Sequence, residues 1–196
     1  LNKQENGMKR LAIFASGTGS NAKKIIEYFK SSAEASVQLV VSNKADAPVL
    51  DMAASHGVAT RMVDRALFYQ TEELLKELGQ QGINFIILAG FLWLIPSYLV
   101  EHYKNRIINI HPALLPKYGG KGMYGMHVHR AVKAAQESES GITIHYVNER
   151  YDEGDIIFQK HCTLNKEDSP EQIAKKVQRL EHQYFAPVIE NVLKEL

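Results

Sequence analysis

Residues 11–22 read LAIFASGTGSNA: a run apolar enough for a buried strand, then two glycines, then Ser-Asn opening the helically spaced AKKIIEYFK. The same order of strand, loop and helix recurs along the chain. Short apolar runs suited to strands stand at 11–16, 37–42, 58–63, 83–90, 107–110, 141–147 and 156–164. Segments with helical spacing lie at 20–30, 47–56, 70–79, 96–104 and 127–137. A last helix begins after Ser169, where DSPEQ offers an N-cap followed by proline at the first helical position. This alternation implies an α/β fold: a mostly parallel, Rossmann-like twisted sheet with helices on both faces, in a single domain over 8–196. Met8 is a candidate natural start, with residues 1–7 either a disordered tail or an appended segment.

Composition excludes several classes. The 23 Lys+Arg against 22 Asp+Glu leave a net charge of +1, so no basic field suits a nucleic-acid partner. A single cysteine, Cys162, rules out an intrachain disulfide and a thiolate zinc site, which suits a cytoplasmic protein. The longest apolar run, 85–96, is too short to cross a bilayer, and no membrane partner is expected. His127 and His129 are two apart, and residues so spaced do not share a helical face; no metal is expected.

In open parallel sheets ligands bind beyond the carboxyl ends of the strands. After the first strand, Gly17-Thr18-Gly19-Ser20-Asn21-Ala22 turns into a helix whose exposed N–H groups and positive end favour an anion. The pattern matches the dinucleotide fingerprint G-x-G-x-x-A, which calls for an acid about 20 residues on. The second strand ends instead in Ser42-Asn43-Lys44, so a single phosphate on a small substrate fits better than a nicotinamide dinucleotide. The plain alternative is a glycine turn that only connects strand to helix.

The fifth strand ends in IINIHPALLP, residues 107–116. Asn109 and His111 lie two apart and so share one face of an extended chain, with Ile108 and Ile110 on the other, and Pro112 keeps His111 out of helical conformation. An amide and an imidazole projecting together can donate to one oxygen, which suits the oxyanion of acyl-type chemistry. A carboxylate beside His111 would favour imidazolium. Asp152 in NERYDEGD is the candidate, with Glu149, Glu153 and Asp155 competing from the same turn. The bland reading makes His111 a structural histidine beside a proline, and His145, within GITIHYV, a satisfied core histidine.

Taken together, SGTGSN (16–21), SNKADAP (42–48), LAGFLWLIP (88–96), NIHPALLPKY (109–118), HYVNERYDEGDIIFQ (145–159) and VQRLEH (177–182) resemble the phosphoribosylglycinamide formyltransferase family almost end to end. The resemblance implies transfer of the formyl group of 10-formyltetrahydrofolate, a co-substrate, to the amine of glycinamide ribonucleotide in purine biosynthesis, by direct attack through a tetrahedral intermediate. It places catalysis on Asn109, His111 and Asp152 and the substrate phosphate on Gly19, Ser20 and Asn21. Ile110, Pro112, Gln178 and Glu181 would contact the ribonucleotide. Leu92, Trp93, Leu94 and Ile95, with Asn109 and the turn Asn148, Glu149, Arg150, Tyr151 and Asp152, would hold the folate.

Two departures stand out. The family pattern has arginine where this chain has Trp93, and a second arginine upstream finds no counterpart over 68–74. The loop 117–127, with its cluster of glycines, is longer than the usual connection and is expected to be mobile without ligand. A monomer or homodimer is expected. The competing functions are a formyltransferase acting on an amino-sugar nucleotide or on methionyl-tRNA, and a nicotinamide-dependent oxidoreductase. The tRNA enzymes carry an added C-terminal domain, for which 196 residues leave little room.

Overall fold

The first strand, β1 (Lys9–Phe14), sends alternate side chains into two separate cores: Leu11 and Ile13 into one, Ala12 and Phe14 into the other, all fully buried. A strand covered on both faces has no polar side to show, which is why its sequence runs apolar from Leu11 onward. The computed structural model describes residues 7–196, so the tail expected over 1–7 lies, apart from Gly7, outside the described residues.

All seven apolar runs form strands of one sheet: β1, β2 (Ala35–Ser42), β3 (Ala59–Met62), β4 (Phe85–Leu88), β5 (Ile107–His111), β6 (Glu139–Tyr146) and β7 (Ile156–Thr163), in the order β3-β2-β1-β4-β5-β6-β7. The first five are parallel, and β6 and β7 are antiparallel to their neighbours. β7 runs antiparallel to β6 because the two are joined by a turn over 147–155 rather than by a crossover helix. Because the chain winds outward from β1 in both directions, the loops after β1 and β4 diverge and open a crevice at the carboxyl edge.

Helices cover both faces. α1 (Ser20–Phe29), α2 (Pro48–Ser55), α6 (Met126–Ala134) and α7 (Pro170–Lys194) enclose the core of Leu11 and Ile13, while α3 (Arg65–Gln70), α4 (Glu73–Gln80) and α5 (Ser97–His102) enclose that of Phe14. Helix α7 starts as its sequence indicates, with Ser169 and Gln172 in a reciprocal capping box and Pro170 in the first turn.

The helix expected over 70–79 is α4, which starts at Glu73, and a further short helix, α3, precedes it. Asp64 caps α3 by accepting from the Leu67 N–H at 2.8 Å, and Thr71, extended at φ −134, breaks the run before α4. Its hydroxyl donates back to the Leu67 carbonyl at 2.9 Å, so the local hydrogen bonding of a threonine overrides the helical spacing.

Candidate active site

Strands β5 and β6 set Asn109 opposite His145 and His111 opposite Thr143. Residues directly opposed in an antiparallel pair share a face. Four polar side chains therefore meet on one side of the sheet, while Ile108, Ile110, Ile142 and Ile144 are buried in the core on the other. Thr143 fixes the exit of β5: its hydroxyl donates to the Ala113 carbonyl at 2.7 Å and accepts from the Leu115 N–H at 3.0 Å.

The turn after β6 brings Asp152 back to this patch. Its Oδ2 lies 3.5 Å from His111 Nδ1, and its Oδ1 lies 3.5 Å from Asn109 Nδ2 and 3.6 Å from His145 Nε2. Asp152 holds a left-handed backbone at φ 57, which aspartate and asparagine tolerate better than most side chains. Glu153, a competing acid from the sequence, instead pairs with Arg150 at the surface.

The hydrogen bonds dictate the tautomers. His145 Nδ1 is 2.8 Å from the Tyr146 carbonyl, which can only accept, so in the neutral ring Nδ1 carries the proton and Nε2 accepts from the Asn109 amide at 3.1 Å. His111 Nε2 likewise donates to the Tyr118 carbonyl at 2.7 Å. Burial is the largest influence on His111 and lowers its pKa, outweighing the opposing effects of Asp152 and the Tyr118 carbonyl. This corrects the expectation that Asp152 holds the imidazole charged: the desolvation cost of the cation wins. Burial pushes Asp152 up, but the neighbouring His145 and His111 imidazoles and the Gly120 N–H bring its carboxyl below the usual range.

The glycine loop is fastened to this cluster at two points, the Tyr118 carbonyl on His111 and the Gly120 N–H on Asp152 Oδ2 at 2.9 Å. Gly119 between them has no room for a side chain, since a Cβ would stand 2.5 Å from Leu115 Cδ2. Behind the cluster, buried His129 of α6 has an unpartnered Nδ1, and burial together with the His111 charge depresses its pKa to about 4.

Asn109, His111, Gly120, His129, His145 and Asp152 line one cavity of about 860 Å³ at the carboxyl edge of the sheet. At one part of its wall Gly19 caps α1 in left-handed backbone at φ 76 without any side-chain hydrogen bond, leaving the first-turn N–H groups uncapped. Nearby, Asn21 Nδ2 donates to Glu181 Oε2 at 3.0 Å, and Gln178 Nε2 to Ser20 Oγ at 3.4 Å, which ties α7 to the start of α1. Burial raises the Glu181 pKa against the lowering effect of Asn21, and Asn21 Oδ1 has no partner. Beyond β2, Asn43 accepts from the Ser16 hydroxyl at 2.6 Å, so the tip where a dinucleotide site needs an acid holds an amide already engaged.

Another part of the wall is apolar. Leu92, Trp93, Leu94 and Ile95 line the cavity, as do Ile110, Pro112, Val147, Arg150 and Tyr151. Asn148 and Glu149 do not: Asn148 Oδ1 accepts from the Arg150 N–H at 2.9 Å and so shapes the turn from outside. Among the described residues no cluster of three or more His, Cys, Asp or Glu is placed to hold a metal ion, and no helix is long and apolar enough to cross a membrane.

The family model described as formyl transferase matches residues 9–189. The chain belongs to the formyl transferase family. It is 42% identical over 193 residues to the chloroplastic phosphoribosylglycinamide formyltransferase of Arabidopsis thaliana, covering 95% of this chain and 66% of that one. With the chloroplastic enzyme of Vigna unguiculata, of which it spans 62%, this means that the chain covers somewhat under two thirds of these plant relatives. It is 35% identical to the phosphoribosylglycinamide formyltransferase of Bacillus subtilis, covering 95% of both chains. The crystal structure of the enzyme of that name from Bacillus halodurans superposes with a TM-score of 0.85 at 34% identity, over 94% of this chain and 95% of that one.

His145 fits its sequence reading as a satisfied core histidine in burial and hydrogen bonds, but its place beside Asn109 depends on the register of β6 on β5. The signal was present in the alternation of Thr143 and His145 against Ile142 and Ile144, the same pattern as Asn109 and His111 against Ile108 and Ile110. The grip of Tyr118 and Gly120 on the polar cluster is made by backbone atoms and leaves no side-chain signature.

Proposed function

We propose that this chain transfers the formyl group of 10-formyltetrahydrofolate to the amine of glycinamide ribonucleotide. One observation carries the reading: Asn109, His111 and Asp152 converge on a cavity wall that also holds an uncapped helix N-terminus and an apolar patch. The substrate phosphate sits on Gly19, Ser20 and Asn21. Glu181, a half-buried carboxylate that already accepts from Asn21, and Gln178 accept from and donate to the sugar hydroxyls, with Ile110 and Pro112 beside the glycinamide. The pterin lies along Leu92 to Ile95 and the turn of Arg150 to Asp152.

The amine nitrogen attacks the formyl carbon, the carbonyl π electrons move onto oxygen, and the tetrahedral centre collapses with cleavage of the bond to folate N10. The amine proton passes to N10 through a water ordered by Asp152, so tetrahydrofolate leaves neutral at that nitrogen. His111 stabilises the oxygen as a donor through Nε2. That atom is held by the Tyr118 carbonyl, and a developing oxyanion, the stronger acceptor, takes the carbonyl's place. Asn109 supplies the second donor. No covalent enzyme intermediate is needed, and Cys162 plays no part.

Mixing the protein with both substrates and following tetrahydrofolate by absorbance tests this reading. Stoichiometric release that depends on glycinamide ribonucleotide is expected. Release that requires an amino-sugar nucleotide instead would transfer the reading to a different acceptor, and absence of release with any amine would overturn it.

A further inference from the structure

Tyr118 stands in left-handed backbone at φ 57, a conformation uncommon for a bulky side chain that persists only where its surroundings determine it. Two contacts do so here. Its carbonyl accepts from His111 Nε2 at 2.7 Å, and its hydroxyl donates to Glu137 Oε1 at 2.8 Å. The ring between them packs against the core that α6 and α7 enclose.

Glu137 lies outside the large cavity and lines a separate hollow of about 260 Å³ together with Leu115, Tyr118, Val132 and Ser140. The end of α6 fixes its place. The Gln136 N–H donates to the Lys133 carbonyl at 3.0 Å and the Glu137 N–H to the Val132 carbonyl at 3.4 Å, with Gln136 left-handed at φ 53, the paired bonds that close a helix. Lys117 Nζ donates to the same Oε1 at 3.0 Å, and Lys117 first and Tyr118 second hold the carboxyl below its usual range. Glu137 is therefore ionised at neutral pH and a strong acceptor for the phenol.

The consequence reaches His111 through its tautomer. Two acceptors face the ring, the Tyr118 carbonyl 2.7 Å from Nε2 and Asp152 Oδ2 3.5 Å from Nδ1, and the neutral imidazole has one proton to give. With the carbonyl in place, Nε2 carries it. Without the carbonyl the carboxylate draws the proton to Nδ1, and Nε2 becomes an acceptor that cannot donate to an oxyanion.

We infer that Glu137, which touches no reacting atom, is a positioning residue: through the Tyr118 hydroxyl it sets the carbonyl that keeps the His111 proton on Nε2. The inference rests on the donor role proposed for His111.

The experiment compares wild type with Tyr118→Phe, which removes only the hydroxyl, with Glu137→Ala, with Glu137→Gln and with the double variant Tyr118→Phe/Glu137→Ala. At pH 8, where the lowered pKa leaves the ring neutral, long-range proton–nitrogen spectra of protein labelled in its histidine nitrogens read the tautomer of His111, assigned by the signals lost in His111→Gln. Wild type should show a protonated Nε2, and Tyr118→Phe and Glu137→Ala should move population to protonated Nδ1. In both, kcat should fall about three- to tenfold, the size of one hydrogen bond, with KM for both substrates nearly unchanged. Glu137→Gln, whose amide oxygen still accepts, should recover part of the loss. The double variant should be no slower than the slower single one, because both changes break one link. An unchanged His111 tautomer in the single variants overturns the inference. So does a shifted tautomer with wild-type kcat, and so do losses that fall on KM or add up in the double variant. The spectra need no substrate, so a wild type with protonated Nε2 that releases no tetrahydrofolate overturns the proposed function and leaves the control of the tautomer standing.

Discussion

The Nε2 of His145 stands 3.1 Å from the amide nitrogen of Asn109, its direct neighbour across the β5–β6 pair. With Nδ1 committed to the Tyr146 carbonyl, the ring accepts from the amide and fixes which way Asn109 turns. Replacing His145 by leucine removes that acceptor without touching the reacting atoms. An orphaned polar group costs about 1–3 kcal/mol, so kcat should fall by about five- to 150-fold while KM for both substrates changes little. His145→Gln, which keeps an acceptor, should recover part of the loss. Steady-state kinetics on both variants decide the matter; wild-type kcat in His145→Leu removes the ring from the account.

Gly19 is where the anion cradle and the fold depend on one absent side chain. A Cβ there would stand 2.4 Å from Val49 Cγ2, and the backbone is left-handed at φ 76. Gly19→Ala therefore combines conformational strain with overpacking against α2 and should destabilise by about 2–4 kcal/mol. The same displacement should raise KM for the ribonucleotide more than for the folate. Urea unfolding together with substrate titration tests both halves, and wild-type stability in this variant would contradict the packing reading.

Burial lowers the His111 pKa, so the proposed donor role draws on the Nε2–H of the uncharged ring. The folded pKa lies below the ordinary 6.5, and Asp152 also titrates below its usual range. Both groups are then deprotonated across neutral and alkaline pH. The rate should rise out of the acid range and run level above about pH 7. A rate that declines steadily from pH 6 to 8 would show that imidazolium is the working form.

His129 links stability to pH. Its imidazole stays neutral down to about 4 when folded, against 6.5 ordinarily, so the unfolded chain takes up this proton first. The contribution is complete above about pH 6.5 and is lost as the pH falls toward 4, to a total on the order of 3 kcal/mol. His129→Gln carries no such proton, and its denaturation midpoint should fall less than that of wild type between pH 7 and pH 4.5. Parallel midpoints for the two proteins would remove His129 as a source of the slope.

The central strands β1 and β4 were legible because LAIFAS and FIIL are apolar on both faces, and no competing structure buries them as well. Asn109 and His111 were legible from their spacing alone, since a period of two sets a face wherever the strand runs. Asp152 was one of several acids in a turn, and only the left-handed backbone at that residue brings it to His111. His145 required the register of β6 on β5, a long-range fact that local patterning does not carry. The break at Thr71 depends likewise on a single hydrogen bond, below the resolution of any periodicity.

The central claim is that the carboxylate of Asp152 serves the transfer of a formyl group at Asn109 and His111, and Asp152→Asn tests it with the least disturbance. Asparagine tolerates the left-handed backbone at φ 57 and still accepts from the Gly120 N–H, so the thermal midpoint should stay close to that of wild type. The initial rate of tetrahydrofolate release should drop by about 10²–10³. A folded Asp152→Asn protein that releases tetrahydrofolate at the wild-type rate would contradict the account.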